Sequence, residues 1–261
     1  MDRRDSKQIV INTELCVGCG SCLADCVGDM IRIEDGKAVI TNGRCIICGH
    51  CFAVCPMHAI NIAGWDTSDC DQLGSMTEFD PDRLLLAMKS RRSVRQFQDK
   101  PVPQKLVRKL IEAANYAPTA KNRQDVFFTV IQDKLDEVEN KTLAVYRRAL
   151  VEETRLTPLA KNMNLSDHRI FFNAPLAIVF SSRDVVNATI AATYVELLAE
   201  SMGLGGFHCG YVIGGFRSDP ELAGMLELPE GIPPVTCLVL GWPKVEYERL
   251  PPRREANVSW L

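Results

Sequence analysis

The apolar residues of this chain follow two different patterns. In residues 7–62 they form short runs around cysteine-rich loops, and the order of short strand, cysteine loop and helical turn occurs twice. A predicted hairpin, IRIEDGKAVI, follows the first copy, and the second copy ends in HAINIA. A unit this small buries too little apolar surface to be stable alone, so we expect a bound group to hold it together.

From position 80 onward the apolar runs are longer. Asp80 followed by Pro81 is typical of a helix start, and Leu106 and Leu110 recur at helical spacing. The same reasoning predicts helices at 104–116, 134–153 and 185–202, and short strands at 126–131, 176–180 and 236–240. Helices outnumber strands, and the strands are well separated in sequence. The pattern therefore favours an α+β domain with a helix-flanked sheet of antiparallel or mixed strands.

These patterns divide the chain into three segments. Residues 1–63 form the small cysteine-rich domain, and residues 64–79 are polar and rich in Gly, Ser and Asp, which is typical of a linker. Residues 80–261 form the α+β domain.

Eight of the eleven cysteines fall into two copies of the motif C-x2-C-x2-C-x3-C, and Pro56 follows the last of them. This is the spacing of bacterial ferredoxins that carry two 4Fe–4S clusters, in which the fourth cysteine of each copy binds the other cluster. The first cluster would use Cys16, Cys19, Cys22 and Cys55, and the second would use Cys45, Cys48, Cys51 and Cys26.

Two other interpretations of the cysteines are a zinc module and a disulfide framework. Zinc sites usually take four ligands in separated pairs, and disulfides need an oxidising compartment. We therefore favour clusters, with Cys70 and Cys237 left over as non-ligands. His50 lies between two of the ligands, where it would shield or tune a cluster rather than bind iron.

Composition excludes several classes of partner. The 261 residues have 46% hydrophobic content and a net charge of −3, so no broad basic field predicts binding to nucleic acid or to a membrane surface. The first residues lack the apolar core of a signal peptide, and no apolar run is long enough to span a membrane. The unpaired thiols and oxygen-sensitive clusters then favour a cytoplasmic location.

Three polar segments of the second domain have no obvious role in a core. They are RRSVR at 91–95, APTAKN at 117–122 and PPRR at 251–254. The planar guanidinium group of arginine can donate two parallel hydrogen bonds to phosphate oxygens, and amide and hydroxyl groups can hydrogen-bond the edge of a heterocycle. A basic pentapeptide taken alone is, however, typical of a solvated surface.

Together, these segments and the glycine-rich stretch MGLGG at 202–206 resemble the nitroreductase family of FMN-dependent flavoproteins, in its ferredoxin-fused branch. The resemblance covers about two thirds of the chain. It implies a homodimer with FMN at the subunit interface, so that the partner chain supplies some contacts. The residues it assigns to FMN are Arg91, Arg92, Ser93, Arg95, Thr119, Ala120, Asn122, Gly205, Gly206, Cys209, Gly210, Arg253 and Arg254.

For two residues near the glycine-rich stretch, the sequence allows either a role at the flavin or a structural role. Cys209 could lie beside the flavin, but a buried free cysteine usually acts as a small apolar residue. His208 could donate a proton or a hydrogen bond, but a structural imidazole is the simpler interpretation. The sequence identifies no catalytic residue.

The combined motifs predict an enzyme. Clusters pass one electron at a time, and a flavin can deliver two, so we expect two-electron reduction of a small, flat, electron-poor acceptor such as a nitroaromatic, quinone or enone. The electron donor would be an external low-potential protein or NAD(P)H. One alternative is an electron-transfer module that serves a protein partner and has no small substrate. Another is a relative that fragments or dehalogenates its substrate beneath a lid formed by residues 141–164.

Overall fold

The computed structural model describes residues 8–41, 43, 45–68, 70–71, 73, 80–162 and 164–261. Within these residues the chain forms two compact units, one of residues 8–73 with Thr119–Arg123 and the other of residues 80–118 and 124–261. Much of the predicted linker, including residues 74–79, lies outside the described residues.

The first unit has the predicted duplication. Its elements are β1 (Ile9–Ile11), α1 (Ser21–Ala24), β2 (Ile31–Glu34), β3 (Lys37–Ile40), α2 (His50–Val54) and β4 (Ile60–Ile62). Strands β2 and β3 form the predicted antiparallel hairpin, and β1 pairs antiparallel with β4. The buried core is small and includes the cysteine side chains of Cys16 and Cys22 together with isoleucines such as Ile31 and Ile60.

The second unit contains four strands and seven α-helices among the described residues. They are α3 (Pro81–Ser90), α4 (Gln104–Asn115), β5 (Phe127–Ile131), α5 (Leu135–Glu152), α6 (Thr157–Lys161), β6 (Leu176–Ser181), α7 (Val185–Ser201), β7 (Gly205–His208), α8 (Gly210–Ser218), α9 (Pro220–Gly224) and β8 (Pro234–Gly241). Asp80 caps α3 as predicted, because its Oδ1 accepts from the backbone N–H groups of Asp82 at 3.0 Å and Arg83 at 3.2 Å.

The four strands form one antiparallel sheet in the order β5-β6-β8-β7. Every residue of β6 is buried, and successive side chains enter different cores. Ala177 and Val179 pack with residues of α5 and α8, whereas Ile178 and Phe180 pack with residues of α4 and α7. The sheet is therefore flanked by helices on both faces, and the predicted α+β class is confirmed.

Strand β7 and helix α8 were not predicted. Their sequence, GGFHCGYVIGGFRS, is rich in glycine, which is depleted in strands and disfavoured in helices. Tertiary packing explains the glycines. A Cβ on Gly206 would lie 2.2 Å from the carbonyl oxygen of Val239 on β8, and a Cβ on Gly205 would lie 2.6 Å from Cγ2 of Val94. The glycines thus allow β7 to approach both neighbours closely.

None of the described helices is both long enough and apolar enough to cross a membrane.

We predict that Gly206→Ala destabilises the protein by about 2 kcal/mol, since the new methyl group meets a backbone oxygen that cannot move without separating β7 from β8. The free energy of unfolding should be measured by urea titration with circular dichroism. Gly224→Ala is the control, because a Cβ there meets no atom within 4 Å, and its stability should equal or slightly exceed that of the parent. Equal stability of the two variants would contradict the close approach at Gly206.

Candidate cluster and cofactor sites

The eight motif cysteines surround two separate cavities in the first unit. Cys16, Cys19, Cys22 and Cys55 line one, and Cys26, Cys45, Cys48 and Cys51 line the other. Each cavity thus takes three cysteines from one copy of the motif and the fourth from the other copy. Four sulfur ligands are what one 4Fe–4S cubane needs, so the donor set fits this group.

Equivalent glycines turn the chain toward each cavity. Gly20 and Gly49 precede α1 and α2 with φ angles of 80° and 77°, a left-handed conformation that suits glycine. The helices that follow carry Cys22 and Cys51. The turns that lead to the third cysteine of each copy are therefore alike.

Backbone N–H groups point at four of the sulfur atoms. Cys26 Sγ accepts from Met30 N and Cys55 Sγ accepts from Ala59 N, both at 3.3 Å and both four residues further along the chain. Two more bonds complete the set, from Ala38 N to Cys16 Sγ at 3.4 Å and from Ile47 N to Cys45 Sγ at 3.3 Å. Each cavity receives two of these bonds. Hydrogen bonds to sulfur are one of the means by which a protein sets a cluster's potential.

Three of the motif thiols, those of Cys22, Cys45 and Cys51, have a raised pKa. Burial, together with the nearby sulfur atoms of Cys45, Cys48 and Cys26, raises the pKa of Cys51 to about 11. Burial also raises the pKa of Cys22. Iron binds thiolate, so cluster assembly must displace these protons, and the free energy of metal binding contributes to folding.

The remaining cysteines and His50 have other surroundings. Cys70 is exposed, whereas Cys209 and Cys237 are buried in the second unit. His50 lines the second thiol cavity, and its Nδ1 lies 3.3 Å from Asp25 Oδ2. This position is consistent with shielding of the cavity and leaves His50 outside the set of four thiols.

In the second unit, the RRSVR segment lies beside β7. Ser93 forms a parallel bridge with Gly206, and Val94 N donates to Gly206 O at 3.0 Å. The structure therefore brings the predicted arginine segment and the predicted glycine stretch together, although they are more than 100 residues apart in sequence.

Arg91 and His208 meet at one carboxylate. Arg91 Nη1 donates to Glu196 Oε1 at 2.9 Å, and His208 Nε2 lies 3.7 Å from Glu196 Oε2. His208 Nδ1 lies 3.0 Å from Thr236 Oγ1. Burial alone would raise the pKa of Glu196, but the adjacent His208 and Arg91 outweigh it, so the pKa of this carboxyl is lowered. Glu196 is therefore ionised, and its negative charge attracts the side chains of both Arg91 and His208.

Arg92 has an unused donor. Its Nη2 donates to Lys89 O at 2.9 Å, while its Nε is buried and has no hydrogen-bond partner among the described residues. A buried N–H of this kind costs free energy unless a ligand satisfies it. An anionic oxygen, such as that of a phosphate, would do so, and the site therefore fits the phosphate of FMN.

Arg95, Cys209 and Gly210 line one cavity of about 360 Å³. Cys209 is buried at the start of α8, where burial raises its pKa to about 11, so its thiol is held neutral. A Cβ on Gly210 would meet no atom within 4 Å, which leaves open space at the start of the helix. A larger cavity of about 860 Å³ lies along α4 and β5, and the described residues that line it include none of those predicted for FMN.

The other predicted FMN residues are not among the described residues that line this cavity. Thr119–Arg123 forms part of the first compact unit, where Asn122 Nδ2 donates to Ile47 O at 2.6 Å. Lys121 and Asn122 have φ angles of 55° and 47°, which non-glycine residues seldom adopt. Arg253 and Arg254 are exposed in a C-terminal segment that contains neither helix nor strand from position 250 onward. For these residues the FMN assignment stays a prediction.

The sequence interpretation did not identify two residues of this region. Glu196 appeared to be one of several polar positions on a long helix, and only the fold shows that it faces Arg91 and His208. Arg169 precedes an apolar strand, a position that indicates no role, yet it lines the 360 Å³ cavity together with Arg95.

Comparison with known families agrees with both units. Residues 8–56 match the family described as 4Fe-4S dicluster domain, and residues 88–242 match the Nitroreductase family. Over 171 residues the chain is 29% identical to FMN reductase (NAD(P)H) of Bacillus subtilis, a match that covers 62% of this chain and 66% of that protein. It is 27% identical over 173 residues to a putative NADH dehydrogenase/NAD(P)H nitroreductase of Methanothermobacter thermautotrophicus, covering 61% of this chain and 77% of the relative.

Solved structures share the fold of the second unit. A nitroreductase with bound FMN from Bacteroides fragilis aligns with a TM-score of 0.59 at 19% identity, over 68% of this chain and 98% of that one. A nitroreductase with bound FMN from Desulfitobacterium hafniense gives a TM-score of 0.58 at 24% identity, over 70% and 100%. The predicted resemblance is confirmed, and the chain belongs to the nitroreductase family of FMN-dependent oxidoreductases, with a 4Fe–4S dicluster domain in front.

Proposed function

We propose that this protein is an iron–sulfur flavoprotein in which two 4Fe–4S clusters pass electrons to FMN for the two-electron reduction of a small acceptor. The observation that carries the proposal is the sorting of eight thiols into two complete sets of four, on a chain whose other domain belongs to a flavin-dependent family. The two relatives named above are called FMN reductase and NAD(P)H nitroreductase, which supports a redox function of the same kind.

The eight motif cysteines would hold the clusters, with Cys26 and Cys55 as the crossing ligands. When bound, the clusters supply electrons singly, and FMN joins single electrons into a pair. The chain's own part is to set potentials through the N–H groups on four sulfur atoms and through the burial of the thiols.

In the second unit, the residues predicted for FMN would bind and orient the flavin. Arg91, Arg92 and Ser93 would hold the phosphate and ribityl chain, with the buried Arg92 Nε as one donor. Glu196 would fix the direction of the Arg91 guanidinium. The backbone around Gly205, Gly206, Cys209 and Gly210 would lie near the ring, together with Arg95, while Thr119, Ala120, Asn122, Arg253 and Arg254 would complete the site. A homodimer would add contacts from the partner chain.

The acceptor would be flat and electron-poor, of the nitroaromatic, quinone or enone type, because it must stack on the flavin ring to receive electrons. Each turnover would deliver two electrons and two protons to it. The electrons would come from an external low-potential protein or from NAD(P)H, for which the two relatives are named. The proposal includes the domain boundaries, with the cluster domain at 1–63, a linker at 64–79 and the FMN-binding domain at 80–261.

The ligand assignment predicts that Cys55→Ser loses one of two clusters. Anaerobically purified parent protein should contain about eight irons and one FMN per chain, and the variant about four irons, because Cys55 completes the set of Cys16, Cys19 and Cys22. Cys70→Ser is the control and should keep the parent's iron content, since Cys70 is exposed outside both cavities. Iron and sulfide analysis with a visible spectrum measures the outcome. Equal iron in both variants would contradict the crossed assignment.

The proposed activity predicts saturable kinetics with small acceptors. Under anaerobic conditions with a low-potential electron donor, the rate of reduction of a nitroaromatic or a quinone should reach a plateau as its concentration rises. A protein that only carries electrons to a protein partner would give rates that rise linearly, without a plateau. Finding no saturation across a panel of nitroaromatics, quinones and enones would refute the enzyme assignment and favour the carrier.

A further inference from the structure

Two arginines from distant parts of the chain line the same cavity. Arg95 belongs to the RRSVR segment, and Arg169 lies in the loop between α6 and β6. The cavity of about 360 Å³ also borders Gly210 at the start of α8 and Leu159 of α6. This volume lies within the range of small-molecule sites.

Neither arginine is neutralised by an acidic side chain. Arg95 Nη1 reaches only the backbone oxygen of Ser93, at 3.5 Å, and Arg169 makes no hydrogen bond or ion pair within the part of the chain that the structure describes.

The carboxylates of this region are already engaged. Glu139 Oε1 accepts from Ile170 N at 2.6 Å and from Phe171 N at 3.0 Å, and Glu196 pairs with Arg91. No acidic side chain is among the described residues that line the cavity, so the two arginines are the charged groups of its lining.

Aromatic rings hold both guanidinium groups in place. Arg95 lies over the ring of Phe207, 5.1 Å from its centre, and Arg169 lies over Phe172 at 5.9 Å. The two rings meet edge to face at 5.5 Å. A guanidinium held over a ring keeps its N–H edge free for a carboxylate or phosphate. The ring of Phe172 beside the Arg169 guanidinium, which has no acidic partner among the described residues, suits a planar aromatic anion.

We propose that the acceptor binds in the part of this cavity beside Arg169, next to the flavin ring, and that this part selects an acceptor bearing a negative charge, with Arg169 as the specificity-determining residue. The inference rests on the proposed function, because Arg95 would face the flavin while Arg169 remains for the acceptor. The ligand class is a planar, electron-poor aromatic molecule with a carboxylate or similar anionic group.

The test compares two acceptors that differ in charge and little else. The value of kcat/KM is measured for 4-nitrobenzoate and for 4-nitrobenzamide, with the parent protein, Arg169→Gln and Arg169→Lys. In Arg169→Gln we expect kcat/KM for the nitrobenzoate to fall about tenfold or more, as for a lost charged hydrogen bond, with the nitrobenzamide changed less than about twofold. Arg169→Lys should recover part of the loss.

Arg108→Gln is the matched control. It removes the same charge from an exposed arginine of the other cavity, along α4, and should leave both acceptors unaffected. FMN content is measured in every variant. An equal loss for both acceptors, or loss of FMN from Arg169→Gln, would overturn the proposal, because the cavity would then serve the flavin itself.

A second measurement does not depend on turnover. Binding of the non-reducible pair benzoate and benzamide to the FMN-loaded protein is followed by calorimetry. Benzoate should bind more tightly than benzamide to the parent, and Arg169→Gln should remove that difference. Equal affinities in the parent would refute the charge selection. If benzoate is preferred and no acceptor is reduced, the anion site stands and the proposed enzymatic function fails.

Discussion

The gathering of eight thiols around two cavities is the constraint on which the first unit depends. Its apolar core consists of a few isoleucines and alanines around the cysteines themselves, and the pairing of β1 with β4 is the strand contact that joins its two copies among the described residues. Burial raises the pKa of Cys51 to about 11, so this thiol stays protonated near neutral pH unless a metal replaces the proton. Cluster binding would therefore add its free energy to the stability of this unit.

The second unit has a different physical basis. A large sheet packed on both faces supplies its stability, and its site depends on how closely β7 approaches its neighbours. Gly205 and Gly206 leave room for Val94 and Val239, and the RRSVR segment consequently runs beside β7. Glu196 then connects Arg91 of that segment with His208 of β7.

The sequence predicted much of this, and the failures have physical reasons. Cysteine spacing specifies the thiol sets because a cubane accepts few arrangements, and the structure places Cys26 and Cys55 in the predicted opposite cavities. Strands β5, β6 and β8 were predicted from their apolar runs, whereas β7 was not, because close packing there selects glycine. The roles of Glu196 and Arg169 depend on tertiary contacts that no local pattern contains. Thr119–Arg123 groups with the first unit, which sequence position alone does not indicate.

In the proposed function electrons reach FMN through the clusters, and the rate of flavin reduction by a low-potential one-electron donor measures this route. Anaerobic stopped-flow spectroscopy would compare the parent with a variant in which Cys19 and Cys48 are both serine and FMN is retained. We expect rapid flavin bleaching in the parent and a rate at least about tenfold lower in the variant. Equally rapid bleaching without clusters would contradict it.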